Sequence, residues 1–133
     1  MSNQNTTITA LIIPTEDRAF LQQVPAEGQR DTDGNDMLDH FQKQVGGYIE
    51  AIDFGPDFMY VNEHANRLGM PENPTATRML MAYRNDVNME SETLRGNVVV
   101  LSINPNDEGA EASVRPEALK VFTGFAGYTP EEV

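Results

Sequence analysis

Cysteine is absent from the 133-residue chain. That removes disulfides, thiol nucleophiles, cysteine-ligated zinc and iron–sulfur clusters together. Long apolar runs are absent too: nothing approaches the ~18 residues that a membrane span needs, and mean hydropathy is −0.46. The opening MSNQNTTITA has neither a basic start nor an apolar centre, so no secretory leader is expected and the cytoplasm is the expected location. Basic residues are scarce. Nine Lys and Arg stand against 21 Asp and Glu, for a net charge of −12, and the nine are scattered singly. Phosphate contacts need clustered cations, so direct nucleic-acid binding is not expected.

What is present is a chain long enough to fold as one domain, residues 1–133, around a core of its own. Its acidic residues fall mostly in expected loops (Asp31, Asp33, Asp36; Asp107, Glu108, Glu111) and at the end (Glu131, Glu132). Charge placed there favours solubility and steering toward a basic partner, ahead of a continuous face that imitates nucleic acid.

Residues 6–14 are β-branched and apolar and read as a buried strand. Residues 15–35, with Pro25, Gly28 and the run DTDGND, read as a long polar loop. Met37, Leu38, Phe41 and Val45 share a helical face, with Asp36 or Asn35 as its cap and Gly46 at its left-handed end. Residues 48–54 and 58–63 flank Gly55-Pro56-Asp57 and predict an antiparallel hairpin. Residues 64–73 read as a connecting loop. Asn73-Pro74 then opens a helix whose stripe is Ala76, Met79, Leu80 and Tyr83. The near-continuous apolar run 97–103 predicts a central strand, and 116–124 a short helix between Pro116 and Gly124. Residues 125–133 form a tail, tied down only if Phe125 and Tyr128 dock. The expected fold is α+β, in the order β-α-β-β-α-β-α: a mixed or antiparallel sheet of about four strands with two to three helices on one face.

Catalytic signatures are few. The four serines lie outside any G-x-S-x-G, and no P-loop or G-x-G-x-x-G occurs. Asp31 to Asp36 hints at a calcium loop, but an EF-hand wants Gly sixth and Glu twelfth. Asp36 and Gln42 stand there, so a turn leading into a helix cap is the simpler reading. His40 and His64 are isolated from any H-x-x-x-H spacing, and no metal or cofactor is expected. Glu50 and Glu63, both on the hairpin, are the one carboxylate pair close enough in sequence pattern to divide acid and base roles, with exposed sheet residues as the plainer explanation. The seven methionines are read as core filler.

Five segments carry a resemblance: Val45-Gly46-Gly47-Tyr48-Ile49-Glu50, Tyr60-Val61-Asn62-Glu63, Gly69-Met70-Pro71, Asn73 with Ala76-Thr77, and Gly96-Asn97-Val98-Val99-Val100. In order and spacing they resemble the domain-of-unknown-function family three-eight-four-six, across residues 36–101, with Asn97 standing where the family pattern has Asp. The resemblance implies an origin in phages, plasmids or actinobacteria and brings no activity with it.

The sequence thus points to a binding protein rather than an enzyme, with no catalytic residue assigned. The leading expectation is a phage or mobile-element accessory protein that acts in the host cytoplasm on a host or defence protein with a basic surface. The alternative is a small-ligand, nucleotide-like pocket near the glycine pair and the second helix start. Gly46, Gly47, Tyr48, Glu50, Asn62, Glu63, Asn73 and Thr77 are the binding candidates for either. An edge strand also offers a route to a homodimer.

Overall fold

The computed structural model describes residues 6–53, 55–84, 93–106 and 110–133. Phe54, Asp107, Glu108 and the side chain of Tyr83 lie outside the described residues. The first half of the chain forms β1 (Thr7–Ile13), β2 (Phe20–Pro25), α1 (Met37–Val45), β3 (Ile49–Asp53) and β4 (Asp57–Asn62). The second half forms a single turn α2 (Ala65–Leu68), then α3 (Pro74–Arg84), β5 (Val98–Ile103), β6 (Glu111–Ala112), α4 (Pro116–Ala126) and β7 (Glu131–Glu132). The fold is α+β, with a mixed, mostly antiparallel sheet in the order β3-β4-β5-β1-β2-β7, and β6 added beside β5. β2 and β7 make the parallel pair.

The local grammar of the sequence explains most elements. Asp36 and Asp39 form a reciprocal capping box on α1, and Gly46 ends it at φ 80. Residues 49–53 and 57–62 pair as the expected antiparallel hairpin. β5 lies between β4 and β1 with Val98, Val99, Val100 and Leu101 fully buried. A strand apolar at consecutive positions is one covered on both faces.

That run corrects the layering. Helices pack on both faces rather than one. Alternation sends Leu11, Ile13, Met59, Val98 and Val100 to one side, where α3 and α4 supply Met79, Leu80, Ala118 and Phe122. It sends Ala10, Ile12, Phe58, Val99 and Leu101 to the other, against Phe41 and Val45 of α1. The sheet has seven strands among the described residues, not about four. β2 lies inside the segment read as a polar loop, because its Gln22 and Gln23 hide its alternation. Those amides find partners outside β2, Gln44 Nε2 of α1 donating to Gln22 at 2.9 Å and Gln23 Nε2 donating to Thr9 of β1 at 2.7 Å. The loop 64–73 contains α2, and α4 continues past Gly124 to a left-handed Gly127 (φ 81). It does so because Phe125 and Ala126 pack on the core.

The last residues are docked. Tyr128 Oη accepts the Ala19 N–H at 2.7 Å, its ring lies 3.8 Å beneath the Arg18 guanidinium, and it meets Phe122 edge-on. β7 then pairs with β2, and Gln23 reaches Glu132.

Among the described residues the one fully buried carboxylate is Asp57, at the start of β4. Arg115 grips it with two 2.9 Å hydrogen bonds from Nε and Nη2. Ser102 Oγ donates to it at 2.6 Å and accepts the Arg115 main-chain N–H at 2.9 Å. This cluster fastens the start of α4 to β4 and β5. Asp57→Ala should lower stability by about 3 kcal/mol, towards the low end for a broken buried pair, because Arg115 keeps 33% of its side chain in water. Urea unfolding that shows a change under ~1 kcal/mol would contradict this role.

Candidate functional site

Two candidate residues hold the molecule together. Asn73 is buried, and its Nδ2 donates to Ile13 O and Gly96 O, both at 2.9 Å. Its Oδ1 caps α3 by accepting the Ala76 N–H at 3.0 Å, and its own N–H reaches Leu94 O at 2.7 Å. Thr77 Oγ1 donates to Asn73 O and accepts the Leu94 N–H, each at 2.9 Å. The start of α3 is therefore capped by Asn73 itself, the residue that opens the helix in sequence, and that cap occupies the end which the small-ligand alternative would use. Gly96 lies in the same zipper at φ 79. That left-handed backbone favours glycine, and a Cβ there would also press on Met70 Sδ at 2.9 Å.

The glycine pair is a second brace. Gly46 takes the left-handed cap, and a Cβ on Gly47 would come within 2.9 Å of Asn62 Nδ2. That amide donates to Val45 O at 3.1 Å, while Asn62 Oδ1 accepts the His64 N–H at 2.7 Å. The pair thus lets α1 turn into β3 directly over a buried asparagine.

Beside these braces lies a groove of about 390 Å³. Ile52 and Glu50 of β3 and Val61 of β4 form its floor, on the α3 side of the sheet. One wall is Glu63, Ala65 and Asn66 at α2; the other is Thr93, Leu94 and Arg95. The second wall is fixed by the Asn73 zipper, and Arg95 Nη1 donates to Met70 O at 3.0 Å. Glu50 pairs with Val61 across the hairpin, and the Glu63 N–H reaches Tyr48 O at 3.0 Å. Glu63 Oε1 also lies 3.1 Å from His64 Nε2. Of the eight candidates, the groove brings together Glu50, Asn62 and Glu63. It is not lined by Gly46, Gly47, Asn73, Thr77 or Tyr48, the last of which is 67% exposed.

Arg95 was missed from sequence although it directly precedes Gly96, a position whose left-handed backbone marks a tight connection. Asp57 was missed because a turn explains an aspartate equally well. Asn97, standing where the family pattern has Asp, accepts the Thr15 N–H through Oδ1 at 3.1 Å, a bond either residue supplies.

The acidic run 31–36 is a turn. Asp31 Oδ1 accepts the Asp33 and Asn35 N–H groups at 2.9 Å each, and Oδ2 lies 2.8 Å from His40 Nε2. Among the described residues no three His, Asp or Glu side chains stand together as metal ligands.

The family model described as Domain of unknown function (DUF3846) matches residues 8–126. The chain belongs to that family. The DUF3846 match reaches beyond the motifs of residues 36–101, taking in β2 and α4, and it contains every residue of the groove. No curated protein and no solved structure matches this DUF3846 chain.

The Asp31 turn carries a pH signature. The Asn35 N–H first, and His40 second, hold its carboxyl below the ordinary 3.8. A depressed folded value stabilises above the unfolded value, and the contribution is lost as pH falls through the folded one. Asp31→Asn should therefore melt below the wild type at neutral pH, with the gap closing as pH falls below about 3.8. A gap that persists unchanged at acid pH in thermal melts would contradict the assignment.

Proposed function

We propose that this DUF3846 protein is a non-enzymatic binding protein whose groove receives a basic side chain or segment of a protein partner. The observation that carries the reading is the convergence of two exposed carboxylates, Glu50 and Glu63, on the apolar floor of Ile52 and Val61. A lysine or arginine lays its aliphatic stem on such a floor and carries its charge to such a rim. The net charge of −12 steers a basic surface toward it and speeds the encounter. In this reading the protein serves a phage or mobile element in the cytoplasm of its bacterial host, and the partner is a host or defence protein.

The alternative, a small nucleotide-like ligand, has one favourable observation. A groove of about 390 Å³ is of ligand size. The charges favour the first reading: among the described lining residues Arg95 is the one cation against two carboxylates, and it already donates to Met70 O.

Fluorescence anisotropy with a labelled lysine-rich peptide tests the choice. Binding should weaken steeply with added salt, and Glu50→Lys with Glu63→Lys should weaken it by about tenfold or more, the size of desolvated charge pairs at an interface. Equal binding by the doubly reversed protein contradicts the reading. A rise in melting temperature with nucleotide, and none with the peptide, would favour the alternative.

A further inference from the structure

The groove adjoins an edge of the sheet. β3 ends the strand order, and among the described residues it pairs with β4 alone. The bond from the Glu63 N–H to Tyr48 O sets the phase of that ladder. In an antiparallel pair, residues alternate between those whose main-chain groups face the neighbour and those whose groups face away. Tyr48, Glu50 and Ile52 therefore turn their N–H and C=O toward β4. Ile49 and Ala51 turn theirs outward.

Side chains alternate as well, so Glu50 and Ile52 line the groove while the residues beside them offer main-chain hydrogen bonds. Of the usual protections, β3 itself lacks those that block main-chain pairing. β3 carries no proline and no lysine, its five-residue register with β4 is unbroken, and Ala51 presents a small, exposed side chain. What the edge does carry is negative charge, in Glu50 with Glu63 nearby. A second copy of this chain would add the same carboxylates, and another charge of −12, to the same few strand spacings. A strand with lysine or arginine at alternate positions would neutralise them.

We infer that the β3 edge takes up an extended basic segment of the partner as an additional strand, its alternate side chains entering the groove. This rests on the groove being a site for a basic partner and adds how the partner is held: main-chain bonds to Ile49 and Ala51 for attachment, Glu50 and Glu63 for selection. The same geometry disfavours the edge-to-edge homodimer.

The probe is an acetylated, amidated octapeptide of alternating lysine and valine. Amide hydrogen exchange is followed in the wild-type protein, and affinity is compared with Ala51→Pro, which removes an outward N–H while leaving the bonds to β4 in place. Saturating peptide should slow exchange at Ile49 and Ala51 by about tenfold or more, and Ala51→Pro should bind about tenfold more weakly. Salt-sensitive binding with exchange at Ile49 and Ala51 unchanged would overturn the added strand and leave the groove reading standing. No binding at about 1 mM peptide, a weak-affinity limit, would overturn both. The exchange measurement needs no variant, so it decides the matter even if Ala51→Pro fails to fold.

Discussion

Asn73 uses its amide on three main-chain groups from three parts of the chain: the end of β1 at Ile13, the turn before β5 at Gly96, and the first turn of α3 at Ala76. Both amide hydrogens and the oxygen are engaged, which is the full donor capacity of the side chain. Removing it would strand two carbonyls and one N–H where water does not reach, and each stranded group costs about 1–3 kcal/mol. The same junction sets the path of Thr93, Leu94 and Arg95, since the Leu94 main chain bonds to both Asn73 and Thr77. One wall of the groove is therefore a consequence of how α3 is capped.

The other constraints join the helices and the chain end to the sheet. Asp57, Ser102 and Arg115 fasten α4 to β4 and β5, and Tyr128 fastens the chain end against the β1–β2 connection. With the helices anchored on both faces, β4, β5 and β1 form a covered centre. β3 lies at the margin, exposing Glu50, Ala51 and Asp53. The groove and the strand edge thus lie at one margin, which is where the proposed reading places contact with a basic partner. The buried charge is held elsewhere, inside the Asp57 cluster.

Elements with local punctuation were legible before the structure: α1 from Asp36 and Gly46, α3 from Asn73 and Pro74, the hairpin from its Gly-Pro turn, and β5 from its apolar run. Those readings rest on interactions within a few residues. What escaped depends on distant partners. β2 is a strand because Gln22 and Gln23 find Gln44, Thr9 and Glu132 from elsewhere in the chain. β7 exists only by pairing with β2, and the two-sided layering was present in the unbroken apolarity of Val98 to Leu101 without being drawn from it. Of the site, Glu50, Asn62 and Glu63 were legible as hairpin polar groups. Asn73 and Thr77 were recognised as significant, but their type alone does not separate a cap from a contact. Arg95 required the fold, since the Asn73–Leu94 bond and its own bond to Met70 O are what set it in the groove wall.

Native-state amide hydrogen exchange of the free protein tests the central role of Asn73 most directly. The N–H groups of Asn73 and Ala76, held by Leu94 O at 2.7 Å and Asn73 Oδ1 at 3.0 Å, should exchange only through global unfolding, together with the buried amides of β5. Exchange at Asn73 and Ala76 orders of magnitude faster, while Met79 and Leu80 in the same helix stay protected, would show that the junction opens on its own and does not hold the groove in place.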